Sequence, residues 1–171
     1  PANLVREFIR QAEAGESRFL RPWAGVATQS VDEGMAEALG LARPEGVVLS
    51  DLHPQSPFAA LGLTPGDVLL ALDDQPILSP SDLEYRLSIS PIGSTAKLTA
   101  MRSGELVELD LSLFPALGSE GHAQVSIRSP GPLDGLSVAD LTPALIDEYG
   151  LPLSASGVVF VAAQGAAVRL G

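Results

Sequence analysis

The sequence predicts an α+β chain, mostly β. The expected form is a partly open β-barrel or sandwich of five to six short strands with two to three short helices. One helix precedes this unit, and a truncated repeat of it follows. Three observations predict this. First, 17 Gly and 14 Pro among 171 residues are scattered at turn positions between short apolar runs, the pattern of many short strands joined by tight turns. Second, Ser56-Pro57 and Ser79-Pro80 each join an N-cap residue to a proline suited to the first helical position, so short helices interrupt the strands. Third, a segment near the end repeats one near the start. Trp23-Ala-Gly-Val, Gly40-Leu41 and Gly46-Val-Val-Leu answer to Leu133-Asp-Gly-Leu, Gly150-Leu151 and Gly157-Val-Val-Phe, and Gly25 to Gly40 and Gly135 to Gly150 are each fifteen positions. Both copies close on Leu-Gly, at Leu61-Gly62 and Leu170-Gly171. The expectation is one complete module, the opening of a second, and a longer parent protein.

In order along the chain, residues 3–14 read as a helix. Leu4, Val5, Phe8, Ile9 and Ala12 form one stripe, Asn3 is placed as the N-cap, and Gly15 ends the pattern. A polar linker covers 16–22. Val26 to Ser30 is a short strand, and Glu33 to Leu39 a short helix stopped by Gly40. Gly46 to Leu52 is a buried strand, and 57–61 makes one helical turn ended by Gly62. Asp67 to Asp73 is another strand, turned by Asp73-Asp74 toward Pro76-Ile77. Ser79-Pro80 starts a helix to Ile89 with Leu83 and Leu87 on one face. Lys97 to Met101 and Glu105 to Leu113 form a hairpin around Ser103-Gly104. In its second arm Val107, Leu109, Leu111 and Leu113 alternate with polar residues, giving one buried and one wet face. The domain reading is therefore a helix over 1–16, a module over 20–114, a linker over 115–122 and an incomplete second module over 123–171.

Composition narrows the function. An apolar fraction of 46% with 18% charged residues supports a packed core and argues against disorder. A net charge of −11, with no run among the ten Lys and Arg, argues against nucleic acid or an anionic membrane as partner. No stretch approaches a membrane span of roughly 20 apolar residues. Cysteine is absent, so disulfides and thiol catalysis are excluded. His53 and His122 are the only histidines and have no metal-ligand spacing. No Gly-x-Ser-x-Gly, trypsin-type nucleophile loop or phosphate loop is present. Asp73-Asp74 sits where turn chemistry favours aspartate, ahead of any acid/base role. No catalytic residue, metal site or cofactor is assigned.

The ordered set Arg21-Pro-Trp-Ala-Gly-Val, Ala38-Leu-Gly-Leu, Gly46-Val-Val-Leu, Ser56-Pro-Phe-Ala-Ala-Leu-Gly-Leu, Pro65-Gly-Asp-Val-Leu-Leu-Ala-Leu-Asp, Gln75-Pro-Ile, Ile92-Gly and Met101-Arg-Ser-Gly resembles a PDZ domain of the bacterial HtrA/Deg type. The match runs over residues 20–114. Pro1-Ala-Asn-Leu-Val and its helix resemble the segment that closes an HtrA-type protease domain, and 123–171 resembles the first half of a second PDZ domain. The resemblance implies a peptide-binding module of a periplasmic or cell-envelope serine endopeptidase. It would recruit unfolded or cleaved polypeptides, with an upstream protease domain and a homo-oligomer as further partners. Such a module takes an extended peptide as an added strand at a sheet edge. The implied edge is Val26, Ala27 and Thr28, entered from the carboxylate loop Trp23, Ala24 and Gly25. Arg21 stands beside the loop to add charge. Leu83 and Leu87 line the pocket for the last side chain.

Plainer readings stand beside these. Leu83 and Leu87 suit a core, and Arg21 suits a solvated surface. Trp23 either walls the groove or packs on the helix 3–14, and buried aromatics more often serve packing. The module is alternatively a structural one that assembles oligomers and binds little peptide, or belongs to another protease family. In the second copy Trp23-Ala24 becomes Leu133-Asp134 and Arg21 becomes Gly131. An aspartate there repels a carboxylate, so no peptide-binding residue is assigned to that half.

Overall fold

A computed structural model describes residues 2–13, 15, 19–121, 123–128 and 133–163, with the side chains of 2–4 and 7 excepted. His122, Gly131, Leu170 and Gly171, used in the sequence reading, lie outside the described residues. The chain divides into two compact units, 1–116 and 117–171.

The first unit opens with helix α1 (Ala2–Glu13), which lies beside a later helix, α4. Helical backbone begins before Asn3, so Asn3 is inside the helix and does not cap it. Among the described side chains the apolar stripe is not the buried face of the helix. Val5 and Phe8 are 56% exposed and Ile9 is 50% exposed, whereas Gln11 is buried. The reason is a hydrogen-bonded clamp: the Gln11 amide donates to the Leu20 carbonyl and accepts from the Leu20 N–H, both at 2.7 Å. This pairing satisfies a polar side chain that burial would otherwise penalise.

Strand β1 (Val26–Ser30) leads to helix α2 (Glu33–Leu39), capped by the Asp32 carboxylate on the Met35 N–H. Gly40, left-handed at φ 71°, closes α2 with the paired C-terminal bonds of a Schellman ending. Strand β2 (Val47–Leu52), the single turn α3 (Pro57–Ala60), strand β3 (Val68–Leu72) and the short β4 (Gln75–Pro76) follow. Asp73 and Asp74 both take positive φ, as a tight β3–β4 turn of the primed kind requires, and the Asp73 carboxylate accepts from the Lys97 N–H at 2.8 Å. Helix α4 (Pro80–Ile89) and the hairpin β5 (Thr95–Arg102) and β6 (Glu105–Ser112) complete the unit.

The sheet is antiparallel, in the order β1-β2-β3-β5-β6 with β4 on β3, and it does not close into a barrel. One face packs Val47, Leu49, Leu69, Leu98 and Leu111 against Phe58, Ile77, Leu83 and Leu87. Each such side chain contributes about 1.5–3 kcal/mol on burial.

The second unit holds β7 (Gln124–Ser126), β8 (Leu136–Asp140), helix α5 (Pro143–Tyr149) and β9 (Val158–Ala163), with sheet order β7-β8-β9. It repeats β1-α2-β2: Val26 to Leu136 and Glu33 to Pro143 are each 110 positions, and Val47 to Val158 is 111. The likeness extends to detail. Gly25, Gly40 and Gly46 share positive φ with Gly135, Gly150 and Gly157, and the strand register slips at Ala27/Thr28 in one copy and at Ser137/Val138 in the other. Among the described residues no helix is long and apolar enough to cross a membrane.

Candidate functional site

The loop Trp23-Ala24-Gly25 leads directly into β1. The chain enters through Trp23, whose N–H donates to the Phe114 carbonyl at 2.9 Å and so ties the loop to the end of the β6 segment. The next two carbonyls are held from the sheet side. Ala24 accepts from the Ser56 hydroxyl at 2.6 Å, and Gly25 accepts from the His53 N–H at 2.9 Å. With their carbonyls held there, the Ala24 and Gly25 amides meet no acceptor among the described residues. Gly25 takes φ 62°, and a Cβ there would lie 2.6 Å from the Trp23 ring, so both backbone and space demand glycine. Amides presented by a left-handed residue and its neighbours suit an anion.

Trp23 is partly buried. Its ring covers Gly25 and meets the His53 ring edge-on, with centroids 5.2 Å apart. The ring contact described for it is therefore with His53 and not with α1. His53 is buried, and its Nδ1 accepts from the Gln55 N–H at 3.0 Å. Among the described residues no three His, Asp or Glu side chains gather to hold a metal ion. Arg21 is exposed, beside the loop in sequence, with no ion pair among the described residues.

β1 stands at the margin of its sheet, paired with β2 alone. The Val31 N–H reaches the Gly46 carbonyl. Residues of an antiparallel strand alternate in direction, so Gln29 faces β2, while Thr28 and Ser30 turn their N–H and C=O groups to the free side. The side chains of Val26 and Thr28 are half-buried, and those of Ala27, Gln29 and Ser30 are exposed.

α4 lies beside β1. Leu83 and Leu87 are only 2% and 3% exposed and belong to the main core, where Ala24 and Val26 pack against the same cluster. These leucines thus floor the space between α4 and β1. The helix start is held from both sides: the Ser79 hydroxyl accepts from the Asp82 N–H at 3.1 Å, and the Asp82 carboxylate accepts from the N–H of Leu78, the residue before the cap, at 3.0 Å. Arg86 binds the same carboxylate at 3.0 Å and the Pro76 carbonyl at 2.9 Å, joining α4 to β4. The Arg86 hydrogen bond is the main cause that holds the Asp82 carboxyl below the usual aspartate range, against a smaller opposing effect of burial.

His53, Ser56 and Phe114 support the loop from distant segments. The cap signal at Ser56-Pro57 marked the serine, but its second bond to Ala24 has no local signature. Asp67 is similar. Its buried carboxylate closes the turn from the Thr64 N–H at 2.8 Å and stands 3.8 Å from Arg102, whose guanidinium also donates to the Leu61 carbonyl.

Comparison with known proteins places this geometry. The PDZ domain family matches residues 22–113. A relative from Pseudomonas putida strain GB-1, named a DegP-like periplasmic serine endoprotease, is 34% identical over 164 residues, covering 91% of this chain and 33% of the relative. A protein of the same name from Rhizobium meliloti is 37% identical over 122 residues, covering 70% of this chain and 24% of its own length. The chain thus spans a quarter to a third of these relatives. Among solved structures, the HtrA-type protease AlgW with a decapeptide superimposes with a TM-score of 0.54 at 26% identity, over 67% of this chain and 35% of that one.

Proposed function

This chain belongs to the PDZ domain family, and on that premise we propose that its first unit binds extended peptides by strand addition along β1, with the peptide's terminal carboxylate on the Ala24 and Gly25 amides. The observation that carries the reading is the direction of the loop: its carbonyls are held by Ser56 and His53, and its amides meet no acceptor among the described residues. Thr28 and Ser30 offer main-chain groups to the added strand, which supplies affinity for many sequences, while the loop selects the chain end. The last apolar side chain of the peptide lies over Val26, Leu83 and Leu87. Arg21 adds long-range attraction, weak because it is solvated. The decapeptide bound to the HtrA-type relative supports this reading.

The parent is proposed to be an HtrA/Deg-like serine endopeptidase of the periplasm, following the names of its relatives. There the module would recruit unfolded or cleaved polypeptides and bear on protease regulation. The test compares a peptide that ends in an apolar residue with its C-terminal amide. Affinity is expected on the order of micromolar, because ordering a flexible peptide offsets much of the contact energy. Amidation should weaken binding by about 1.5–3 kcal/mol, the worth of a charge-assisted bond. Equal titration of both forms into folded protein would reject the carboxylate loop and favour the assembly role.

A further inference from the structure

We infer that the second unit carries its own ligand: residues 124–127 occupy the edge of β8 that corresponds to the open edge of β1. The inference rests on the strand-addition reading of the first unit. The two units share strand, helix and glycine positions, so β8 is the counterpart of β1. Their edges differ. Among the described residues β1 has β2 on one side and no strand on the other, whereas β8 lies between β9 and β7. Val125 stands opposite Val138, which corresponds to Thr28, the residue that turns its main-chain groups outward in the first unit.

The loop is filled in the same way. The Gly135 N–H, counterpart of the Gly25 N–H that meets no acceptor among the described residues, donates to the Ile127 carbonyl at 3.0 Å, and the Ile127 N–H donates to the Leu136 carbonyl at 2.7 Å. A neutral main-chain carbonyl therefore sits on the amide that, in the first unit, awaits a carboxylate. The charge fits this occupant. Asp134 replaces Ala24 and would repel a terminal carboxylate, but it tolerates an uncharged carbonyl. Across the same ladder the hydroxyls of Ser126 and Ser137 meet at 3.1 Å. The side chains of β7 are exposed, so the segment is held mainly by main-chain bonds and by its short tether, which keeps its effective concentration high. The first unit is thus a receptor for external chain ends, and the second is occupied by an internal segment of its own chain.

Amide hydrogen exchange on the whole chain tests this without any peptide. Gly135 and Val138 should exchange more slowly than Gly25 and Thr28, by about tenfold for one net hydrogen bond. Equal rates would overturn the inference. A peptide with a free C-terminal carboxylate then provides a second arm. In the native chain, amide shifts should fall in the first unit, at residues 24–30 and around Leu83 and Leu87. Shifts at 134–140 at the same peptide concentration would overturn the inference. The double variant Ile127→Pro/Asp134→Ala, which removes one main-chain bond and the repelling charge, should bring residues 134–140 into the response. If it folds and those residues stay silent while 24–30 respond, the inference also fails. If the variant does not fold, the exchange comparison in the native chain decides. If no peptide binds either unit, the first unit's function is rejected, and the exchange result still decides the occupancy of β8.

Discussion

The Ser56 hydroxyl, in a residue only 1% exposed, donates to the Ala24 carbonyl at 2.6 Å while accepting from the Phe58 N–H at 3.1 Å. One side chain therefore caps α3 and aims the loop at the end of β1, 32 residues away in sequence. The substitution Ser56→Ala should lose the cap and leave the Ala24 carbonyl without this partner. We expect a stability loss of about 1–2 kcal/mol. Urea unfolding measures the first effect. Peptide titration measures the second, and affinity should fall further than for a substitution at the exposed Ser81. Unchanged affinity in the folded variant would separate the loop from binding.

Gly25 presents a sharper case, because two independent costs coincide there. Gly25→Ala places a side chain at φ 62° and drives its Cβ into the Trp23 ring. A strained backbone residue costs on the order of 1–3 kcal/mol, and the clash adds to it. Adding Trp23→Ala should relieve the clash but not the backbone strain. A thermal-melting cycle of the two single variants and the double should therefore show a non-additive gain. Strict additivity would mean that the ring moves aside freely.

The Asp82–Arg86 pair predicts the response to acid. The folded carboxyl of Asp82 titrates below its ordinary range, chiefly through the Arg86 hydrogen bond. A lowered folded pKa gives stability that is complete above the unfolded value, about 3.9, and that is lost as pH falls through the lower folded value. Melting temperature should thus drop on acidification below about pH 4. Asp82→Asn should flatten that part of the curve, and an equally steep curve in the variant would assign the loss to other carboxylates.

Leu87 belongs at once to the core and to the proposed pocket floor. Leu87→Ala should cost about 2–5 kcal/mol, the range for a buried leucine truncation. In protein shown to remain folded, it should also weaken peptides ending in a large apolar residue more than those ending in alanine. A uniform loss for both peptides would make Leu87 a packing residue alone.

Much of the local structure was legible in the residues. The caps of α3 and α4 and the stop of α2 follow from Ser56, Ser79 and Gly40, because capping depends on side-chain reach and on left-handed backbone within a few positions, whereas the Asp32 cap of α2 was seen only in the structure. The alternation of Val107, Leu109 and Leu111 gave the inner face of β6 for the same short-range reason. For α1, periodicity showed that the helix has an apolar face but not which side of it meets the protein. The Gln11 clamp on Leu20 decided that.

The sequence by itself determined the succession of elements, the left-handed glycines and the repeat of β1-α2-β2 as β8-α5-β9. Sterics and hydrogen bonding between near neighbours are written in residue type and spacing. Only the tertiary structure decided which strand edge is open. β1 and β8 read alike locally, yet β7 covers β8 while no strand among the described residues covers the outer edge of β1. Only the fold, likewise, brought Ser56, His53 and Phe114 to the Trp23-Ala24-Gly25 loop and fixed its carbonyls there. Strand pairing joins main-chain groups that every residue possesses, so its partners are selected by long-range packing and not by a local signal.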